Sequence, residues 1–330
     1  MFNVLKKYIF ILKSYCHIRK AFLNDCVEYW RWNYNNPSVK TKNALEAKIL
    51  RQTHVIEKGM SLSHPREKFG VKKANELLGF IDEFVAYGYK IEESQSVKNS
   101  LGVLNAYINY HAARGFYPQD VISHFAKYKQ FIAESDQPFG IESISRQKLQ
   151  EKIEGNFYEF FNSRHSVRQF SDRKILSNDI KKAVKLAMRA PSACNRQSCK
   201  VYFFDEKKIN DELGQLIAGN TGFESEVANY LVITSDISAF YDAFERNQVY
   251  VDGGIFAMAL VEALHYYGIA SCILQNGEFK ERNKIFKEIC SIPTNEKIIL
   301  FIAIGYYKED VVTYATSHRK KLEEVLCINE

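Results

Sequence analysis

At 330 residues the chain exceeds a single small module and has room for one large or two ordinary domains, each with its own core. With 46% hydrophobic and 25% charged residues, six prolines and sixteen glycines, it is neither collagen-like nor a Pro-rich disordered chain. The net charge of +6 is local: residues 1–50 carry nine Lys/Arg against three Asp/Glu and the remainder balances at 36 each, so the broad basic field of a general nucleic-acid binder is absent.

The apolar run in residues 1–10 is broken by Lys6 and Lys7, and Lys13, Arg19 and Lys20 follow with no small-residue cleavage site. Neither a signal peptide nor a membrane span is expected. Of the two readings left for a basic amphipathic helix, a solvated face is preferred over contact with a membrane surface. The seven cysteines are scattered, odd in number and without a CxxC pair. Reduced thiols in a cytoplasmic protein fit this better than a disulfide scaffold or zinc ribbon.

Apolar residues at three- and four-residue spacing predict helices over 3–33, 39–59, 70–88, 97–113 and 118–134. Inside the second, His54 and Glu57 share a face, Gly59 is expected to end the helix, and His64, Pro65 and Arg66 follow in a loop. A metal site built on His54, Glu57 and His64 lacks a fourth ligand, so no metal is expected. The polar stretch Glu134–Gly140 marks the best boundary. It divides the chain into an all-α domain at 1–145 and a second domain at 146–330.

In the second domain, a capped helix begins near Ser177 or Asn178. Strands follow at Lys200–Asp205, Tyr230–Ser235, Ala270–Leu274 and Lys297–Ile304, alternating with helices at 206–218 and 246–267. That pattern predicts a layered α/β-type domain. Neither GxGxxG nor GxxxxGK[ST] occurs, so a bound nucleotide would need another device.

Two clusters carry candidate chemistry. Arg164, Ser166 and Arg168 alternate within Ser163–Phe170, and in an extended segment they would project to one side, suiting a phosphate. Ala190–Cys199 follows a helix ended by Pro191, and its short side chains let backbone groups approach a ligand. Taken singly, each also reads as an ordinary surface segment.

In this order and spacing, the clusters resemble the nitroreductase family of flavin-dependent oxidoreductases, over roughly residues 150–330. Arg164, Ser166, Arg168 and Phe170 match its opening segment, and Ala190, Pro191, Ser192, Asn195 and Gln197 its Ala-Pro-Ser-x-x-Asn-x-Gln loop. Arg246–Phe256 looks like the family's dimer helix, Gly268–Ile273 and Ile292–Ile299 like its strands, and His318–Val325 like its C-terminal basic element. Ser198 and Cys199 stand where the family often has Pro-Trp, which puts the loop's packing in doubt but not the fold.

The resemblance implies an α+β fold, a central sheet flanked by helices that dimerises around two FMN molecules. Arg164, His165, Ser166 and Arg168 would contact FMN from one subunit, with Arg319 completing a phosphate clamp. Pro191, Ser192, Ala193, Asn195 and Gln248 would approach from the other. Asn220 would meet the pyrimidine edge, and Leu274 and Gln275 the region of N5. NAD(P)H would be the donor in ping-pong transfer to a small-molecule acceptor, with the flavin rather than a protein nucleophile carrying the chemistry. The alternative is a module that binds FMN or another ligand without turnover. Around residues 51–70 a capped helix is preferred, with a lid over the flavin, carrying His54, Lys58 and Arg66, as the other possibility. Cys194 and Cys199 are read as small packing residues rather than redox thiols.

Overall fold

The computed structural model describes residues 2–32, 34, 36–277 and 280–328. The chain forms two compact units that interleave in sequence: 1–27 with 144–312, and 28–143 with 313–330. The sequence reading had placed two successive segments there.

Helix α1 (Phe2–Trp32) contributes to both units. The helical unit is built mainly on α2 (Lys42–Met60), α3 (Val71–Ala86), α4 (Gln95–Ala112) and α5 (Gln119–Phe125). Leu45, Ile49 and Ile56 of α2, Leu77, Ile81 and Phe84 of α3, and Leu101 and Leu104 of α4 recur at helical spacing, and all are buried in one core. Thr41 caps α2 by accepting from the Ala44 N–H at 3.3 Å. Ser94 caps α4, accepting from Val97 N–H at 3.2 Å, while its hydroxyl donates to buried Glu46 at 2.7 Å. Gly59 does not end α2, which runs on to Met60. A Cβ at Gly59 would sit 2.5 Å from the Phe69 ring, so this glycine makes room for an aromatic neighbour.

The segment 313–328 completes this unit. Thr316 donates to Glu57 at 3.4 Å, Lys320 to Glu46 at 3.4 Å, and Asn99 to the Arg319 carbonyl at 3.4 Å. The His318 ring lies against Phe139 with centroids 4.4 Å apart. Two buried carboxylates thereby gain partners, which a buried charge requires.

The chain enters the sheet unit through β1 (Ile141–Ser145), which pairs with β6 (Val311–Ala315) in a two-stranded ribbon. Then come α6 (Arg146–Ile153), α7 (Phe157–Ser163), α8 (Ser177–Ala187), β2 (Cys199–Phe203), α9 (Lys207–Leu216) and β3 (Asn229–Asp236). The unit continues with α10 (Gln248–Tyr266), β4 (Ile269–Gln275), α11 (Lys280–Ile289) and β5 (Glu296–Tyr306). The sheet order is β2-β3-β5-β4 and every pairing is antiparallel. The architecture is therefore α+β rather than the layered α/β pattern that strand–helix alternation alone suggested. Helix α8 starts at Ser177 with Leu176 as its N-cap, so neither Ser177 nor Asn178 caps it.

Ile180, Ala183 and Ala187 of α8 and Leu260, Val261 and Leu264 of α10 share a core with Leu231, Ile233, Ile302 and Ile304 of the sheet. Burying each leucine, isoleucine or valine among these stabilises the fold by about 1.5–3 kcal/mol, and each alanine by less. Helix α10 comes close because residue 253 is glycine: a Cβ there would meet Ile299 Cγ1 at 2.7 Å. Among the described residues, no helix is long and apolar enough to cross a membrane.

Candidate functional site

Helix α10 is the spine of the candidate site, with one cluster near each end. Towards its start, buried Asp252 accepts from the Ala193 N–H at 3.2 and 3.1 Å and from the Gln248 side chain at 2.7 Å. The structure thus brings Ala193 and Gln248 together. The loop itself is taut: Cys194, Asn195 and Gln197 have φ of 52°, 53° and 50°, a region that costs side-chain-bearing residues energy and often marks a ligand-facing turn. Ser192 Oγ accepts from Gln197 N–H at 3.0 Å, and Arg196 donates both arms of its fork to Glu245 at 2.8 and 2.7 Å. That pairing, helped by the Tyr241 N–H, holds the Glu245 carboxyl down to about 2. Pro191 and Asn195 are exposed. Beside the loop lies a cavity of about 690 Å³ lined by residues of α8 and its C-terminal end, β2 and α10, among them the apolar Val184, Met188, Val201 and Phe256 and the charged Lys181, Lys185 and Asp252.

The second cluster lies ten residues along α10, about 15 Å away at 1.5 Å per residue. The strand order leaves β4 at one edge of the sheet, and residues 164–168 run along it. Ser166 bridges Ser271, and the Val167 N–H donates to the Ser271 carbonyl at 3.0 Å. Arg164 pairs with Glu262 of α10 at 3.2 Å. Burial pushes the Glu262 carboxyl up, and Arg164 opposes that shift. Ser166 is exposed and His165 half-buried. Arg168 is only 5% exposed, yet neither its Nε nor its Nη1 has a hydrogen-bond partner among the described residues. A buried guanidinium with idle donors is costly unless an anion meets it.

Beneath this cluster is a buried network that sequence reasoning missed. Ser163 Oγ and the Tyr307 hydroxyl flank the His265 ring nitrogens at 2.8 and 2.7 Å. Burial, with the charges of Arg164 and His165 adding to it, pushes His265 down to about 3, so the ring is neutral at ordinary pH. The available signal was charge in apolar context: Asp252, Glu262 and His265 interrupt an otherwise apolar helix.

The other expected site residues lie in the sheet unit outside both clusters, or in the helical unit. Asn220 is buried and its amide nitrogen donates to the Gly214 carbonyl at 2.6 Å and the Tyr230 hydroxyl at 3.1 Å. Both amide protons are thus spent inside the fold, so any bond to a ligand would be accepted by its amide oxygen. Leu274 is buried and Gln275 exposed at the end of β4, where the Gly219 turn approaches Leu274. Arg319 belongs to the helical unit and its guanidinium donates to the Ser317 carbonyl. His54, Lys58 and Arg66 also lie in the helical unit, His54 and Arg66 exposed and Lys58 half-buried.

A family model described as the Nitroreductase family matches residues 162–306, from the end of α7 to the end of β5. The match includes every candidate of the sheet unit and leaves out Arg319. A protein of Archaeoglobus fulgidus named as an NADH dehydrogenase/NAD(P)H nitroreductase is 26% identical, over 48% of this chain and 88% of its own length. An iodotyrosine deiodinase of Haliscomenobacter hydrossis is 25% identical, over 46% of this chain and 80% of its own. Among solved structures, an FMN-dependent nitroreductase of Clostridium difficile aligns with a TM-score of 0.43 and 22% identity, over 52% of this chain and 98% of its own.

Proposed function

We propose, from a chain whose residues 162–306 form a domain of the nitroreductase family of oxidoreductases, that it is an FMN-dependent enzyme taking electrons from NAD(P)H and passing them to a small acceptor in ping-pong order. The single observation that carries this reading is Arg168, buried with two idle donors as a phosphate-bearing cofactor requires. The names of the similar proteins, which include NAD(P)H and FMN, support it. FMN would supply the redox chemistry when bound.

The protein's own residues bind and orient. Arg168, with Arg164 and Ser166, would hold the phosphate-bearing arm. Glu262 fixes Arg164 in place, and Asp252 fixes the Ala193 backbone so that the loop from Pro191 to Asn195 keeps its shape. The reading includes a homodimer in which that loop is offered to the arginine cluster of a second copy. Val251, Ile255 and Met258, exposed along one face of α10 at four- and three-residue spacing, support such an interface.

Titrating the flavin-free full-length protein with FMN tests the proposal. Wild type is expected to take up FMN and to bleach with NADH or NADPH under anaerobic conditions, with colour restored by an acceptor. Arg168→Ala should weaken FMN binding about 10- to 100-fold, as loss of a charge-assisted hydrogen bond implies. Failure of wild type to take up FMN would overturn the reading. FMN retained but not reduced would leave only a binding module.

A further inference from the structure

Helix α1 turns the wrong side inward for a solvated helix. At 100° per residue, Ser14, Ile18, Ala21 and Asp25 lie on one narrow side, and these are its half-buried positions. Asp25 is held there by Arg246 of the sheet unit through two hydrogen bonds of 2.7 Å. His17 meets the Phe244 ring edge-on at 5.5 Å. The apolar arc points away. Leu5, Tyr8, Leu12, Tyr15, Phe22 and Leu23 lie within about a third of the circumference and are 52–63% exposed. Water is a poor solvent for so long an apolar stripe.

We propose that α1 lies on the surface of an anionic phospholipid bilayer, with the apolar side chains of this arc among the acyl chains, Lys6, Lys13 and Lys20 at the headgroups beside it, and Arg19, which falls within the arc, reaching the headgroups on its long stem. Charge decides the occupant. Residues 2–24 contain Lys6, Lys7, Lys13, Arg19 and Lys20 and no Asp or Glu. Two copies of the helix placed face to face would set like charges together, whereas an anionic surface complements Lys6, Lys13, Arg19 and Lys20, with Lys7 on the inward side of the helix. Lys6, Lys13 and Lys20 recur at seven-residue intervals along one flank of the arc, where long stems can reach the headgroups while the apolar side chains sink. Trp30 is exposed near the end of the helix at the angle of the arc, an amphipathic ring suited to an interface, while Tyr29 and Trp32 line a cavity with Thr41 and Ala44. The same charges keep the helix from crossing the bilayer. The proposal departs from the preference for a solvated face, which could not tell which side of the helix the body covers. It stands independently of the flavin reading.

Trp30 and Trp32 are the only two tryptophans in the chain, so tryptophan emission, excited selectively over the tyrosines, reports on this helix alone. The full-length protein is mixed with vesicles of phosphatidylcholine, or of phosphatidylcholine with phosphatidylglycerol. Emission should shift to the blue, and be quenched by brominated acyl chains, only with the anionic vesicles. Co-sedimentation should fall as salt is raised. The Lys13→Gln, Arg19→Gln, Lys20→Gln triple variant, with helicity checked by circular dichroism, should bind about a hundred-fold more weakly, near five-fold per charge. Should that variant lose helicity, the salt series on wild type decides alone. Unshifted emission with anionic vesicles, equal binding to neutral ones, or binding indifferent to salt would overturn the proposal. So would light scattering showing a wild-type oligomer that Leu12→Asp breaks apart, if no vesicle binding accompanies it, since a second copy would then cover the arc.

Discussion

His265 is fully buried between Ser163 and Tyr307, and its depressed proton affinity has a consequence for stability. Its folded pKa is about 3, below the ordinary 6.5, so the unfolded chain binds the extra proton between those values. Stability from the neutral ring is therefore fully present above about pH 6.5 and lost progressively as pH falls towards 3, with a slope of up to about 1.4 kcal/mol per pH unit. His265→Gln should flatten the dependence of the urea midpoint on pH across that window, at some cost in stability at neutral pH. An unchanged slope would show that other groups set the acid limb. Next to this network, Arg164→Ala would leave Glu262 half-buried without its cation, and its carboxyl should rise further. Carboxylate titration by NMR reads that shift directly, whether or not a cofactor binds.

Neighbouring elements differ in how closely they approach, and glycine reports the difference. Gly253 lets α10 settle onto Ile299 of β5, whereas a Cβ at Gly79 in α3 would meet nothing within 4 Å. Gly253→Ala should therefore destabilise the sheet unit by about 1–3 kcal/mol through overpacking. Gly79→Ala should stabilise the helical unit by up to about 1 kcal/mol, through helix propensity alone. Chemical denaturation of the two variants separates the cases. The main helices and four sheet strands were legible because their periodicity is strong: α2, α3, α4 and α10 start or stop within a few residues of the expected limits. The elements missed lack such a signal. Ile141–Ser145 is short and half polar, with a partner strand some 170 positions away, and Arg146–Ile153 is highly charged. At the site, the type and spacing of Arg164, Ser166 and Arg168 were readable. Their unequal burial was not, because it depends on the edge of β4 and on Glu262 of α10. Asn220 shows the limit from the other direction: that both its amide protons are spent on the Gly214 carbonyl and the Tyr230 hydroxyl is not legible from a glycine-flanked turn.

Across the whole molecule, the interleaving of units sets how the chain can be cut. Removing residues 313–330 would take Thr316 and Lys320 away from Glu57 and Glu46, both buried in the helical unit. Each buried carboxylate would lose one partner, though Glu46 keeps the Ser94 hydroxyl, so hydrogen exchange in α2 should quicken in that truncation while the β3–β5 core changes little. Equal protection of α2 with and without the tail would argue that Glu46 and Glu57 find other partners.

The same interleaving also bears on synthesis. A ribosome makes α2 long before Thr316 and Lys320, which partner its buried Glu57 and Glu46, and it makes α1 before Phe244 and Arg246, which meet His17 and Asp25. Neither half can mature as soon as its helices emerge, so both should pass through a waiting state, prone to aggregation, until translation has passed residue 320. Slowing elongation over the last codons should then raise chaperone association with nascent chains, and a circularly permuted gene that brings 313–330 beside α2 should shorten the wait.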